Sequence, residues 1–476
     1  MRPLVWFRTD LRLHDHAALA AAAAAEERGM VAVFVLCPGQ WAEHDLADIR
    51  VDFVRRTLGV LSADLAARNI ALRILTVDGY ADVPDALADL AAAEDCDAVW
   101  FNAAYEVNEA QRDAAVRAAF GRHGRGVHTF HDQCIVEPGT VRTGTGGPYT
   151  VFTPFKKNLL GRLRDGGLPA VQPAPAKRDA MVGRPDPIPA DIEGYPAPPA
   201  AMVECWPAGE AEALRRLDAF AAQRMGGYKD TRDLAADDTT SRLSPHLAIG
   251  TISVRHCLEV AAEANDGQLL DGREGIATWI SELVWRDFYR HVMVAFPRVS
   301  MHRAFKEKTE ALAWRDDAGE FQAWCEGRTG YPIVDAGMRQ LLAEGWMHNR
   351  LRMITAMFLT KDLYIDWRMG ERHFMRHLID GDLASNNGGW QWSASTGTDA
   401  QPYFRIFNPI TQGQRFDADG TYIRRWVPEL ADLKGKAIHE PWKRDGLFEQ
   451  RDGYPRPIVD HSAARDRVLT AFKALP

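Results

Sequence analysis

"ALRILTVDGYADVPDALADLAAAEDCDAVWFN", residues 71–102, decides the fold of the first part of the chain. It opens on a short apolar run, "ALRILTV" (71–77), continues through "ADVPDALADLAAAE" (81–94) with helical spacing, and returns to strand character in "AVWFN" (98–102). Strand, helix and strand in so short a span form the unit of a parallel sheet with crossover helices. The same texture recurs around it, in "PLVWF" (3–7), "VAVFVL" (31–36) and "VHTF" (127–130). Residues 1–135 are therefore expected to form an α/β domain, a Rossmann-like doubly wound parallel sheet. No G-x-G-x-x-G or Walker A sequence follows any of these strands, so neither a dinucleotide fingerprint nor a P-loop is present.

Further along, the texture changes twice. Residues 136–208 read as a connector, proline-rich from 169: ten of the chain's 26 prolines lie between Pro169 and Pro207. Proline at that density sustains neither helix nor central strand, so a long linker over the surface is expected. From 209 to 476 the pattern is helical. "GEAEALRRLDAFAAQRM" and "TGYPIVDAGMRQLLAEGW" place apolar residues at helix spacing, and Ser253 is a natural N-cap. This part is expected to be an all-α domain.

The bulk properties narrow the function. The chain has 476 residues and a formal charge of −8, which argues against broad charge-driven nucleic-acid binding but leaves room for a local basic groove. Its six cysteines are far apart, without metal or redox spacing. The start, "MRPLVWFRTDLRLHDH", carries charges where a signal peptide needs an apolar run, and Ala20–Ala25 is too short to cross a bilayer. A cytoplasmic protein without a membrane span or a metal is expected. H-E-x-x-H, C-x-x-C and G-x-S-x-G are missing, so metallohydrolase and serine-hydrolase readings lack support. Fourteen tryptophans are many, and ten of them fall between Trp279 and Trp442.

The chemistry concentrates in "DGDLASNNGGWQWSASTG", residues 380–397. Asp380 and Asp382 are acceptors for ring N–H groups or sugar hydroxyls. Asn386 and Asn387 donate and accept, Gly388 and Gly389 permit close approach, and Trp390 and Trp392 supply flat oxidisable surfaces. A planar, polar-edged cofactor such as a flavin would use all of them; a helix-capping loop with two core tryptophans is the alternative. "TTSRLS" (239–244) is either a phosphate cradle or a simple N-cap. In "GWMHNRLRMITAMF" (345–358), helical spacing projects Trp346, Asn349, Arg350 and Met353 together, as a pocket lining or as an amphipathic edge.

Five segments resemble the photolyase/cryptochrome family: "WFRTDLRLHDHAAL" (6–19), "WISELVWRDFYRH" (279–291), "TGYPIVDAGMRQL" (329–341), "GWMHNRLRM" (345–353) and "DGDLASNNGGWQWSASTGTDAQPYFRIFNP" (380–409). The likeness covers essentially the whole chain and is greatest to bacterial class I cyclobutane pyrimidine dimer (CPD) photolyases. It implies a DNA repair lyase that splits dimers by electron transfer from excited, fully reduced FADH⁻. It implies one FAD per chain, held by Tyr228, Thr240, Ser241, Arg242, Leu243, Ser244, Trp279, Trp346, Asn349, Arg352, Asp380, Gly381, Asp382 and Asn386. Asn386 takes the position facing flavin N5. A dimer flipped out of DNA would lie between Trp285 and Trp392, against Met353, with Glu282 hydrogen-bonded to it. Arg232, Arg286, Arg350 and Asn349 would complete the DNA contacts. Trp390, Trp367 and Trp314 match the chain of tryptophans that photoreduces an oxidised flavin.

The resemblance also implies an antenna pigment in the N-terminal domain. His44, Asn108 and Glu109 match contacts to 5,10-methenyltetrahydrofolate, whereas Met301 replaces the lysine that such relatives carry before "HR". Within the family, a cryptochrome photoreceptor and a (6-4) photolyase are the rivals. Asn386 favours a photolyase, since many cryptochromes place Asp or Cys there. Asn349 and Met353 stand where (6-4) enzymes have paired histidines. The expected protein is a monomer whose partner is dimer-containing DNA.

Overall fold

The computed structural model describes residues 1–443 and 453–476. They fall into two compact units, each assembled from separate stretches. The first comprises Met1–Lys229, Ser241–Pro297 and Ile379–Asp382; the second comprises Asp230–Thr240, Arg298–Leu378 and Leu383–Pro476.

In the first unit, β1 (Pro3–Phe7), β2 (Val31–Leu36), β3 (Ala71–Thr76), β4 (Ala98–Asn102) and β5 (Gly126–Phe130) form one parallel sheet in the order β3-β2-β1-β4-β5. Helices cover the strands, so β1, β2 and β4 are buried along their whole length and read as unbroken apolar runs. The strand order reverses between β1 and β4, where a doubly wound sheet opens a crevice at its carboxyl ends. Here the chain fills that region with its own polar groups. Asn102, at the end of β4, donates to Asp10 Oδ2 (2.7 Å) and accepts from Ala18 N (3.1 Å), and His16 caps helix Ala17–Ala25. Beside them Asp132 receives Arg12 at 2.6 Å and Arg255 at 2.7 Å. Burial opposes ionisation of Asp132, but the two guanidiniums hold it well below the usual carboxylate range. Gly250, at φ +73°, lets the backbone of this turn approach: a Cβ there would meet Thr9 O at 2.1 Å.

Residues 167–199 contain no regular element, in keeping with their prolines. The connector does more than cross the surface, however. Asp186 N donates to Leu72 O (2.9 Å) and Asp186 Oδ2 accepts from Ile74 N (2.9 Å), so this segment satisfies the open edge of β3. The unit is completed by helices Phe152–Gly166, Glu210–Gln223, Val254–Ala264 and the 22-residue Glu274–Ala295. Ser253 caps Val254–Ala264 by accepting from His256 N (2.9 Å).

The second unit is helical around a single large core that includes Trp324, Trp367, Trp390, Phe358 and Phe374. Two expectations need correction. Residues 345–358 are not one helix: helix Asn349–Met357 starts only after His348, whose ring caps it, and then continues as a π-helix, Phe358–Leu363. Trp346 thus lies ahead of the helix rather than on its face. Residues 383–394, which carry the paired glycines, are no capping loop but a regular helix, Leu383–Ala394. Two central glycines weaken a helix by about 1 kcal/mol each relative to alanine. Packing offsets this, because Trp390 is buried in the core and the two asparagines bond to the neighbouring helix Trp367–Met375.

Candidate cofactor and substrate site

The residues expected at the site come from both units, and each unit arranges its share by local means. In the first, helix Glu274–Ala295 carries Trp279, Glu282, Trp285 and Arg286. Trp279 is buried against Phe220, with ring centroids 5.3 Å apart, and Tyr228 meets the same phenyl ring edge-on at 5.7 Å. Trp285 is half-buried and lies flat on Phe152, centroids 3.6 Å apart and planes within 7°. One face of this indole is therefore backed by protein. Arg286 is half-buried and donates to the carbonyl oxygens of Gln133 and Leu247. Arg290 lies one turn further along and pairs with Asp382; their side chains are 2% and 13% exposed. Sequence reasoning missed Arg290, because its partner is 92 residues away and only the fold brings them together.

The diphosphate candidates sit in an unusual turn. Arg242 adopts φ +49° and stacks over Trp206 at 5.7 Å, Leu243 N donates to Ser241 Oγ (3.4 Å), and Ser244 is exposed. Half-buried hydroxyls and an arginine thus flank the one buried side chain of the turn, Leu243.

In the second unit, Asn349 and Met353 lie side by side on helix Asn349–Met357, Nδ2 to Sδ 3.9 Å. Arg352 donates to Met347 O (2.8 Å), and its guanidinium lies 5.9 Å from the centre of the Trp346 ring, so Trp346 joins this group despite preceding the helix. Arg350 makes a two-pronged pair with Asp233, at 3.2 and 2.7 Å, and covers Phe416. Arg232 reaches the same carboxylate at 3.8 Å. Asp233 thus draws together two of the three arginines expected to contact DNA, Arg232 and Arg350.

Asn386 is buried, and its amide N–H donates to Glu371 O (3.0 Å). With one amide N–H engaged there, the side chain keeps its carbonyl oxygen as an acceptor. Glu371 also holds Asn387 (2.9 Å), and Asn387 receives Gln391 (2.8 Å).

Residues 3–177 match the DNA photolyase family model, and residues 279–474 match the model of the FAD binding domain of DNA photolyase. Over 477 residues the chain is 46% identical to the deoxyribodipyrimidine photo-lyase of Escherichia coli K12, covering 99% of this chain and 98% of that one. The chain belongs to the DNA photolyase family. Among solved structures, a bacterial class III photolyase from Agrobacterium tumefaciens superposes with a TM-score of 0.88 at 37% identity, covering 99% and 97% of the two chains. A Synechocystis cryptochrome gives the same TM-score at 28% identity, covering 98% and 99%. Fold alone therefore does not separate photolyase from cryptochrome within the family.

The donor set suits the cofactor that the family's domain carries. A flavin needs acceptors for its ring N–H groups, hydroxyl partners for its ribityl chain and cationic or hydroxyl partners for its diphosphate. Asp380, Asp382, Asn386, the 240–244 turn and Arg352 offer these types. A Cβ placed on Gly389, on the helix that carries Asn386, would meet nothing within 4 Å, so that stretch of the helix faces open space.

The photolyase relay candidates grade from interior to surface: Trp390 and Trp367 are buried, and Trp314 is half-buried with its ring 5.0 Å from Tyr364. Trp390 packs edge-on against Phe374 (5.0 Å) and Trp324 (5.9 Å). Trp324 was not foreseen as a neighbour, since only tertiary packing places it there.

The three antenna candidates also come together, in the first unit. His44 Nε2 receives amide N–H groups from Asn108 (3.0 Å) and Gln40 (3.2 Å). Two donors at Nε2 put the ring proton on Nδ1, which faces Glu109 Oε1 at 3.5 Å. Tyr80 donates to the same oxygen at 3.0 Å. Met301 is 60% exposed, at a position where a lysine would add a cation. Among the described residues no group of His, Cys, Asp and Glu is placed to hold a metal, and no helix is long and apolar enough to cross a membrane.

Proposed function

We propose that this protein is a light-driven CPD photolyase that uses FAD to split pyrimidine dimers in DNA. Bound and fully reduced, FAD supplies the light absorption and the single electron that opens the cyclobutane ring and then returns, with no net redox change. The chain's own residues hold, orient and shield. Tyr228, Thr240, Ser241, Arg242, Leu243, Ser244, Trp279, Trp346, Asn349, Arg352, Asp380, Gly381, Asp382 and Asn386 would bind the cofactor. Arg290 would hold Asp382 in place.

Trp285 and Trp392 would clasp the flipped-out pyrimidines. Backing by Phe152 makes the Trp285 indole a preformed stacking platform, which lowers the ordering cost of binding. Met353 would pack against the pyrimidine ring edges. Glu282 would hold the dimer by a hydrogen bond and, if protonated in a dry pocket, stabilise charge developing on it. Arg232, Arg286, Arg350 and Asn349 would make the remaining DNA contacts, with Arg350 exchanging Asp233 for phosphate. Trp390, Trp367 and Trp314 would restore the reduced cofactor, and His44, Asn108 and Glu109 would hold an antenna pigment in residues 1–135. We read the protein as a cytoplasmic monomer.

The observation that carries the reading is Asn386. A neutral amide anchored by one N–H to Glu371 O offers an uncharged acceptor, its carbonyl oxygen, to a protonated N5, which suits a flavin that works reduced. The test is repair of an oligonucleotide containing a thymine dimer by the reduced protein, under blue light and in darkness. Light-dependent restoration of thymine supports the reading. A protein that holds reduced FAD and repairs nothing is a cryptochrome or a (6-4) enzyme, which the same assay on a (6-4) lesion separates.

A further inference from the structure

Glu371 is a carboxylate sealed inside the second unit, with its side chain 1% exposed. It lies on helix Trp367–Met375, and each of its polar parts is engaged. The main-chain oxygen holds Asn386, Oε1 holds Asn387, and Oε2 lies 3.0 Å from His302 Nδ1. Helix Leu383–Ala394, which Glu371 orients, carries no charged residue, so it offers no countercharge. A buried carboxylate needs one. His302 is the basic group placed on it, and His302 is at the surface, its side chain 57% exposed.

The placement of His302 is built. The residue adopts φ +54°, a left-handed conformation uncommon for a non-glycine residue. Arg368 donates to His302 O (2.7 Å) while anchored on Glu310 (2.6 Å). Two sequence-distant segments are therefore clamped so that one surface imidazole reaches one buried carboxylate.

We propose that His302 is the charge partner of Glu371 and, through it, a positioning residue for Asn386, giving solvent a proton input to the cofactor-facing helix. This rests on the reading of Asn386 given above. With His302 protonated, the buried carboxylate of Glu371 has a countercharge while it accepts from Asn387. When His302 loses its proton at higher pH, that countercharge is lost, which changes the carboxylate's hold on Asn387 and the setting of the asparagine pair. The other titratable groups around the pair do not duplicate this role. On helix Trp367–Met375, Arg368 is committed to Glu310 and Asp366, Arg372 is exposed, and burial pushes His373 down to about 3, keeping it neutral. On the neighbouring segment, Arg298 pairs with Glu307 and approaches Glu310 at 3.9 Å. Arg303 offers its carbonyl oxygen to Gln391, Lys306 points its ammonium at Ser395 O (3.4 Å), and Lys308 is exposed.

The pair is tested first by NMR titration of the ¹⁵N-histidine-labelled holoprotein. His302 should titrate above an ordinary histidine, because the Glu371 carboxylate favours its charged form, and Glu371→Gln should return it to the ordinary range. Should the chain hold no FAD, the same titration on the apoprotein still decides the pair, separately from the flavin reading. The second measurement is the midpoint potential of bound FAD against pH. The wild type should show an inflection at the pKa found for His302, and His302→Gln should abolish it while retaining FAD. A His302 titration that is unmoved by Glu371→Gln overturns the proposal. So does a potential profile identical in His302→Gln and wild type; a contact that merely stabilised the fold would give that result, lowering the melting temperature alone.

Discussion

Gly370 makes the seating of Trp390 testable by one methyl group. It lies inside helix Trp367–Met375, and a Cβ there would stand 2.1 Å from Trp390 Cη2, 2.5 Å from Cζ3 and 2.6 Å from Leu359 Cδ2. Gly59, inside helix Asp48–Ala66, is exposed, and a Cβ there meets nothing within 4 Å. Both glycine-to-alanine changes gain about 1 kcal/mol of helix propensity. Gly59→Ala keeps that gain. Gly370→Ala must displace a rigid indole in a close-packed core, an overpacking cost at the upper end of the usual ~1–3 kcal/mol. The expected result is a stabilisation of about 1 kcal/mol for Gly59→Ala and a destabilisation of about 2 kcal/mol for Gly370→Ala. Denaturant unfolding followed by far-ultraviolet circular dichroism measures both. Because the displaced ring is the first of the relay, Gly370→Ala should also slow photoreduction of oxidised FAD, which Gly59→Ala should leave unchanged. Equal stability of the two variants would refute the reasoning, since the ring would then not rest on Gly370.

Trp390→Phe should block photoreduction of oxidised FAD yet leave repair intact once the flavin is reduced chemically; loss of both activities would remove Trp390 from the relay. Glu282→Ala should lower the repair yield per photon more than it lowers FAD content, and loss of FAD instead would place Glu282 among the cofactor's ligands. Lys361 is fully buried, donates to Ala394 O (3.0 Å) and Ser395 Oγ (2.9 Å), and burial pushes it down to about 7. Between pH 7 and its unfolded value near 10.5 the unfolded chain binds the extra proton, so Lys361 destabilises the fold most below pH 7 and less as pH rises. Wild-type stability relative to Lys361→Met should therefore improve by about 2–3 kcal/mol from pH 7 to pH 9, at ~1.4 kcal/mol per unit; a difference independent of pH would show that Lys361 keeps its proton in the fold.

What the chain discloses before folding depends on how far apart the cooperating residues lie. The central strands β1, β2 and β4 were legible because both their faces are covered, so burial writes itself as continuous apolar runs, and the boundaries of all five strands agree with the sheet to within a residue. Ser253 was legible because a cap is made within three residues. The helix through Gly388 and Gly389 ran against local propensity, and the bonds that support it come from Glu371, 15 and 16 residues upstream. The start at Asn349 was missed because a helix pattern was extended back over Trp346, where His348 in fact closes the first turn. Arg290 opposite Asp382 and His302 opposite Glu371 are separated by 92 and 69 residues, and nothing in their local sequence marks them as pairs. Yet both unforeseen pairs act on the 380–397 motif: Arg290 bonds Asp382 itself, and Glu371 bonds Asn386 and Asn387. The residues that touch a cofactor can be named from a motif, whereas the groups that fix their charge and orientation become visible only when the chain has folded. Substitutions at Arg290, Glu371 and His302 are therefore the sharper test of the geometry, because any effect they have on the cofactor must pass through the contacts described.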